Sequence, residues 1–300
     1  MISIILASAN PLLLTNVLKN IEQTIGVEFE IISFENGNAQ RGICEIYNMG
    51  AKRAKYDILC YMHEDIEIKT QDWGAEVVRI FDQRPLVGVI GVVGSAYKSQ
   101  IPSGWYAESY ENKVIFCNYL QSFKIENKPT VHHYINSGTD DLATVVCVDG
   151  MWFCTPRKVA LENPFDENLL KGFHGYDIDY CLKVNQKYEV VVTFNILMEH
   201  FSAGGYTRAW LDDTLKLHDK WQSSLPRSVK DLSETDRQLI DKRTYKWLLK
   251  KFIGMDYTLS DIHQFLNKLR MEGEISFSEY LKYLFYAFKY MFKKEKLLNA

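Results

Sequence analysis

The chain has 300 residues, enough for one large domain or one and a half, and its 47 % hydrophobic and 24 % charged content can fill a globular core. A formal net charge of −3 argues against a general nucleic-acid binder, which carries a basic surplus. Cys44, Cys60, Cys117, Cys147, Cys154 and Cys181 show no C-x-x-C pair and fall mostly in apolar runs, so they read as buried free thiols.

The sequence opens on Ile2–Ala7, a short β-branched apolar run that predicts a buried strand. It lacks the basic region and cleavage site of a signal peptide, and no stretch is long and apolar enough to span a bilayer; the expected compartment is the cytoplasm. Asn10-Pro11 supplies an N-cap and a first helical residue for a helix over Leu12–Gln23, ending before Gly26. Glu28–Phe34 is the second strand, closed by the turn Glu35-Asn36-Gly37-Asn38. Ile43–Lys55 is the second helix, with Ala51 and Ala54 small enough to pack closely on a sheet.

The third strand is the run from Asp57 to Ile68, which turns abruptly acidic at His63-Glu64-Asp65. At the carboxyl end of a buried parallel strand, where open α/β sheets put their ligands, His63 and Asp65 face the same side and can share a divalent cation. A solvated polar turn is the competing reading. The β-α-β-α-β order favours a mostly parallel sheet with right-handed crossovers and helices on both faces. The sequence has no G-x-G-x-x-G after the first strand and no G-x-x-x-x-G-K-[ST], which disfavours ordinary dinucleotide and P-loop binding.

Trp73–Gln83 reads as helix and Leu86–Val93 as the fourth strand, followed by Gly94-Ser95. From Tyr97 to Asp141 the pattern is irregular and aromatic, with Trp105, Tyr106 and Tyr110, and with Val114–Tyr119 as a strand. Such a connector lines a sugar or base site or is loop packing. His132-His133 predicts a surface turn, because adjacent side chains point apart. Thr144–Val148 is a strand ending in Asp149-Gly150. Pro156–Leu161 is a short helix and Pro164–Glu167 a turn. The glycine-flanked segment from Gly172 is helical from about Tyr176 and carries Asp177 and Asp179. Glu189–Met198 is a strand with Glu199-His200 directly after it, and Gly204-Gly205 is a turn. Beyond this, Asp212–Trp221, Glu234–Phe252, Leu259–Glu272 and Ser276–Lys296 read as helices. The last carries Tyr280, Tyr283, Phe285, Tyr286, Phe288, Tyr290, Met291 and Phe292 and closes on Lys293-Lys294-Glu295-Lys296. It suits a membrane interface, its own domain or a sister subunit.

With the acidic strand end, Asp149-Gly150, Asp177-x-Asp179 and the late His200 together, the chain resembles a family 2-like glycosyltransferase of the GT-A fold, closest in flavour to the StrF-like branch. The resemblance covers 1–208 as the GT-A domain and leaves 209–300 as a helical C-terminal extension. It implies that the first strand (Ala7), Asn10, Glu35, Asn48, Glu64 and Asp65 border the nucleotide donor, with Glu35 where the family reads the base and Asn48 at its Asn-x-Gly position. His63-Glu64-Asp65 takes the place of the Asp-x-Asp metal motif, with His200 completing the site. Asp149-Gly150 is the acceptor-side strand end and Asp177 the general base. In two departures, His63 replaces the first Asp of the metal motif, and Tyr176 replaces the Glu of the Glu-Asp pair.

The chemistry expected is transfer of a sugar from a nucleotide-diphosphate donor, UDP-sugar favoured, to a hydroxyl on a saccharide or lipid-linked acceptor, inverting and metal-assisted, in a role such as surface polysaccharide synthesis. A mixed N/O site of Asp65, His63 and His200 fits Mn²⁺ better than Mg²⁺. Asp177 near a helix N-terminus is expected to stay ionised. Asp179 is expected on the acceptor, with Trp105, Trp152 and Tyr176 to stack on sugar faces. The competing functions are an inactive relative that binds nucleotide sugar or glycan, motivated by His63 and Tyr176, and a metal-dependent phosphohydrolase. Nucleic acid is not an expected partner; a homo-oligomer and peripheral membrane contact are compatible with the last helix.

Overall fold

The computed structural model describes residues 1–107, 111–123, 128–202 and 205–298. Tyr110 and Gly204 lie outside the described residues, as do the side chains of Lys294, Glu295 and Lys296. Strands β1 (Ile2–Ser8), β2 (Phe29–Glu35) and β3 (Ile58–Met62) run parallel with β1 in the middle, and helices α1 (Pro11–Thr24) and α2 (Ile43–Arg53) connect them. Asn10 caps α1 by accepting from the N–H groups of Leu12 and Leu13. β1 is apolar on both faces because both are covered. Ile2, Ile4 and Leu6 share a core with Val17 and Ile21 of α1, while Ile5 shares the other with Ile46, Tyr47 and Ala51 of α2.

After β3 the chain bends at His63-Glu64-Asp65, and β4 (Ile66–Ile68) joins a second sheet. Helix α3 (Trp73–Gln83) packs Trp73, Val77 and Ile80 on the Ile2/Ile4 face. The expected strand Leu86–Val93 divides into β5 (Val87–Gly91) and β6 (Val93–Ser95), followed by β7 (Tyr97–Lys98), helix α4 (Glu111–Val114), β8 (Ile115–Gln121) and β9 (Val131–Ile135). Likewise Thr144–Val148 divides between β10 (Leu142–Val145) and β11 (Cys147–Val148). β12 (Trp152–Pro156), helix α5 (Arg157–Glu162) and helix α6 (Tyr176–Val184) come next. The run Glu189–Met198 then divides between β13 (Glu189–Thr193) and β14 (Met198–His200).

The main sheet has the order β10-β13-β5-β12-β3-β1-β2, parallel except at β10 and β12. The second has the order β11-β6-β8-β14-β4, with β9 on β8. In all four divided runs the first piece belongs to the main sheet and the second to the smaller one. The hydrophobic pattern runs through two of the breaks, at buried Val92 and Val146, so only the change of partner marks them, whereas His63-Glu64-Asp65 and exposed Asn195 interrupt the other two. β12 has no counterpart among the expected strands; it follows directly on the Asp149–Met151 turn and pairs antiparallel with both β3 and β5. His132 and His133 lie in β9, not in a turn. Their side chains do point apart, His132 bonding Asn118 and His133 stacking on Tyr119.

Helix α7 (Arg208–Trp221) starts where the helical extension was expected, but it serves both parts. Leu217 and Trp221 join the α2 side of the core, while Leu211 joins the C-terminal cluster. His218 of α7 bonds Lys98 at 2.8 Å, and β15 (Arg227–Ser228) pairs with β7. Helices α8 (Glu234–Gly254), α9 (Leu259–Met271) and α10 (Phe277–Leu298) pack around Leu248, Phe252, Ile262, Leu266, Tyr283 and Ala287. All six cysteines are free and buried, as expected.

Candidate active site

Backbone pairing gathers the site from segments far apart in sequence. The N–H of His63, directly after β3, bonds to the Met151 carbonyl at 2.9 Å, which lays the Asp149–Met151 turn beside it. β4 pairs antiparallel with β14, setting His200 opposite Ile66, and Phe201 N–H reaches the Asp65 carbonyl at 3.0 Å. α6 begins behind Gly175, whose φ of +74° is a left-handed conformation that suits glycine. The Asp177 carboxylate then accepts from Gly150 N–H at 3.0 Å and Ile178 N–H at 2.9 Å. All four segments meet at the carboxyl ends of β1 and β3, the usual ligand edge of an open α/β sheet.

Asp65 is shared by two imidazoles. His63 Nδ1 stands 3.8 Å and His200 Nε2 3.6 Å from Asp65 Oδ1, and the three donor atoms lie within 4.8 Å of one another. These separations are too long for hydrogen bonds. They suit donors converging on one ion, whose bonds to nitrogen and carboxylate oxygen are about 2.0–2.2 Å. The residues therefore fit a divalent metal. Removal from bulk water lowers the proton affinity of His63; Asp65 opposes this and His200 adds to it. Burial thus favours the neutral ring, the form in which an imidazole binds a metal. For Asp65, burial alone pushes the carboxyl up, but His200 and then His63 outweigh it and leave it well below the usual carboxylate range.

Beneath His63 lies the Tyr176 hydroxyl, 3.0 Å from His63 Nε2 and 3.1 Å from the Gly150 carbonyl. A phenol has one proton and a carbonyl can only accept. Satisfying both contacts sends the phenol proton to Gly150 and makes the phenol oxygen accept from Nε2–H. Nδ1 then presents its lone pair toward Asp65, the orienting role that outer partners play for metal-binding histidines. Tyr176→Phe is expected to weaken Mn²⁺ binding by about 10–100-fold. Titration of the Mn²⁺ electron paramagnetic resonance signal checks this, and unchanged affinity would remove Tyr176 from that role.

The same phenol explains Gly150. A Cβ at that position would meet the Tyr176 hydroxyl at 2.2 Å, so Gly150 serves close packing and not acceptor contact. Tyr176 is 5 % exposed and is therefore no stacking surface for a sugar. Two further expectations are corrected on burial. Trp152 has no exposed surface and packs edge-on against Trp73. Asp179 is buried in a pairing with Lys220, Lys183 and the Trp221 indole, tying α6 to α7 out of acceptor reach. Asn48, expected on the donor, spends its side chain on the Phe165 backbone and Glu167 carboxylate.

Asp177 departs from expectation in its ionisation. Burial first, and then the nearby Asp149 charge, push its carboxyl up to about 7, despite the two backbone N–H groups and the helix N-terminus. Asp149 itself accepts from the Trp105 indole at 2.5 Å and from Met151 N–H at 2.8 Å. Trp105 is half-buried beside the site. Among the residues expected on the donor, Glu64 accepts from Ser8 Oγ at 2.6 Å and from the N–H groups of Ala9 and Asn10 at 3.1 and 3.0 Å. It locks the loop after β1 to the bend that carries His63 and Asp65. Ala7 is half-buried in β1, and exposed Glu35 ends β2 opposite Ser8, on the same edge.

Two contributors had no signal in the sequence. Ser202 Oγ lies 3.2 Å from His200 Nε2, and Gln121 holds the carbonyls of His200 and Ser202. Ser202 acts locally, two residues after His200, whereas Gln121 depends on β8 and β14 being neighbours.

A family model described as "Glycosyltransferase like family" matches residues 3–212. A search of curated proteins found no match. Among solved structures, S. aureus TarS residues 1-349 is similar at 12 % identity and TM-score 0.51, over 89 % of this chain and 78 % of that one. Its complex with UDP is similar at 11 % identity and TM-score 0.51, with the same coverage. The mannosyltransferase PcManGT from Pyrobaculum calidifontis, in complex with GDP-Man and Mn²⁺, is similar at 13 % identity and TM-score 0.50, over 97 % of this chain and 86 % of that one. Likeness at this level concerns the fold.

Proposed function

The chain belongs to this glycosyltransferase-like family, and from that premise we propose that it is an inverting, metal-assisted transferase moving a sugar from a nucleoside-diphosphate donor to a hydroxyl acceptor. The observation that carries this reading is the convergence of His63, Asp65 and His200 on one point, joined through Tyr176 and Gly150 to the Asp177 carboxylate. The inactive-relative alternative rested on His63 and Tyr176 as departures. Their pairing argues against it, because it turns both replacements into one unit that leaves three metal donors.

A divalent ion bound there supplies Lewis-acid neutralisation of the departing diphosphate. The mixed nitrogen and oxygen set favours Mn²⁺ over Mg²⁺. Asp177 accepts the proton of the acceptor hydroxyl as that oxygen forms its bond to the anomeric carbon. The bond from that carbon to the diphosphate oxygen breaks in the same displacement, so the configuration inverts and the nucleoside diphosphate leaves. Glu64 fixes the loop Ser8–Asn10, with Ala7 and Glu35 beside it, as the donor floor. Trp105 and Asp149 flank the acceptor side.

A UDP-sugar is the first donor to test, followed by GDP- and dTDP-sugars. The acceptor is a saccharide or lipid-linked hydroxyl, with surface polysaccharide assembly as the fitting role and the cytoplasm as the fitting compartment. Thermal-shift measurements with UDP, GDP and dTDP, with and without Mn²⁺, test the donor reading. Stabilisation that needs nucleotide and metal together supports it; no stabilisation by any pair counts against it.

A further inference from the structure

Helix α10 has two apolar faces and its own domain uses only one. Tyr280, Tyr283 and Ala287 are buried against α8 and α9. Phe277, Leu281, Phe285, Phe288 and Phe292 recur at helical spacing as a second stripe, each between 44 % and 68 % exposed. The stripe borders an open groove of about 470 Å³ lined by Leu259, Leu281, Leu284, Phe285 and Phe288. A solvated helix face has no physical reason to carry five large apolar side chains in register.

Charge indicates what covers it. Between Glu279 and Glu295 the helix sequence has Lys282, Lys289, Lys293 and Lys294 and no acidic residue, in a chain whose net charge is −3. Lys282, Lys289 and Lys293 are exposed. At about 100° per residue they form a line roughly 100° around the helix from the apolar stripe. Lysine stems in that position lie along an apolar surface while their ammonium groups reach the headgroups. Among the described residues no helix is long and apolar enough to cross a membrane. The geometry points to α10 lying flat on an anionic lipid surface, with the Phe277–Phe292 stripe inserted and the lysines on lipid phosphates. This inference does not depend on the catalytic reading.

The test is co-sedimentation of the full chain with phosphatidylcholine vesicles, with and without phosphatidylglycerol. The protein is expected to pellet with the anionic vesicles, to be released by salt, and to stay in solution with the neutral ones. Phe285→Ser with Phe288→Ser is expected to weaken binding on the order of tenfold or more. Lys282→Glu with Lys289→Glu is expected to weaken it by about fivefold per lysine. Circular dichroism of both variants checks that the helices persist, and the charge variant keeps the test decisive if the apolar one misfolds. No binding to anionic vesicles, or binding unchanged in the charge variant, overturns the proposal. A dimer in light scattering that the Phe variant breaks, with no vesicle binding, reassigns the face to a second copy of the chain.

Discussion

Asp177→Asn is expected to cut sugar transfer by about 10²–10⁴-fold, the usual contribution of a positioned base, while leaving Mn²⁺ and nucleotide binding in place. The side chain is held by Gly150 and Ile178 N–H groups, so its position does not depend on substrate. Its carboxyl, pushed up to about 7 by burial and by Asp149, is poised near neutrality as a base should be. Wild-type transfer should accordingly rise with pH through about 7, as the carboxylate becomes available.

The same shift makes a stability prediction of defined sign. The folded value is raised above the unfolded one, near 3.9. Its contribution to stability is therefore fully present below about 4 and is lost as pH rises through about 7. Above that pH the wild type carries a charge buried beside Asp149, and Asn does not. Asp177→Asn should melt higher than wild type at pH 8, and the difference should shrink toward pH 4. A variant that is less active yet more stable marks a residue kept for chemistry. Full transfer activity in Asp177→Asn would refute the base assignment.

Asp65→Ala is expected to reduce Mn²⁺ affinity by at least about 100-fold and to abolish metal-dependent donor turnover. Asp65 Oδ1 is the one oxygen that both His63 Nδ1 and His200 Nε2 approach, at 3.8 and 3.6 Å. Removing it leaves two imidazoles with no charge to hold a hard cation. Tyr176 and Glu64 keep their own partners in the variant, so the scaffold of the site survives. A Mn²⁺ titration of wild type beside Asp65→Ala reads this directly, and coincident curves would exclude Asp65 as a ligand.

The two halves of this site were not equally readable from the sequence. The alternation of β1, α1, β2, α2 and β3 is written in local periodicity and caps, because each element buries a continuous apolar face. His63 and Asp65 were readable too, since they end a strand of that pattern. The pairing of β4 with β14, which delivers His200, joins segments at least 130 residues apart, and local periodicity carries no record of which strands become neighbours. Roles that depend on burial were the least readable. Trp152 and Asp179 look like ligand groups in a string of letters, and only packing against Trp73, Lys220 and Trp221 shows where they are spent. The ionisation of Asp177 was not legible, because it is set by burial first and by Asp149 second, and no motif records either. Tyr176 carries the clearest lesson: the resemblance makes it a departure from an expected Glu, whereas the contacts of its hydroxyl with His63 and Gly150 are visible only in the fold.

Release of nucleoside diphosphate from a panel of UDP-, GDP- and dTDP-sugars, with Mn²⁺ and with a chelator, tests the catalytic account most directly. At least one donor should be turned over with Mn²⁺, lose that turnover on chelation, and lose it equally in Asp65→Ala. Turnover indifferent to both chelation and Asp65→Ala, or no turnover of any donor by the Mn²⁺-loaded chain, would contradict it.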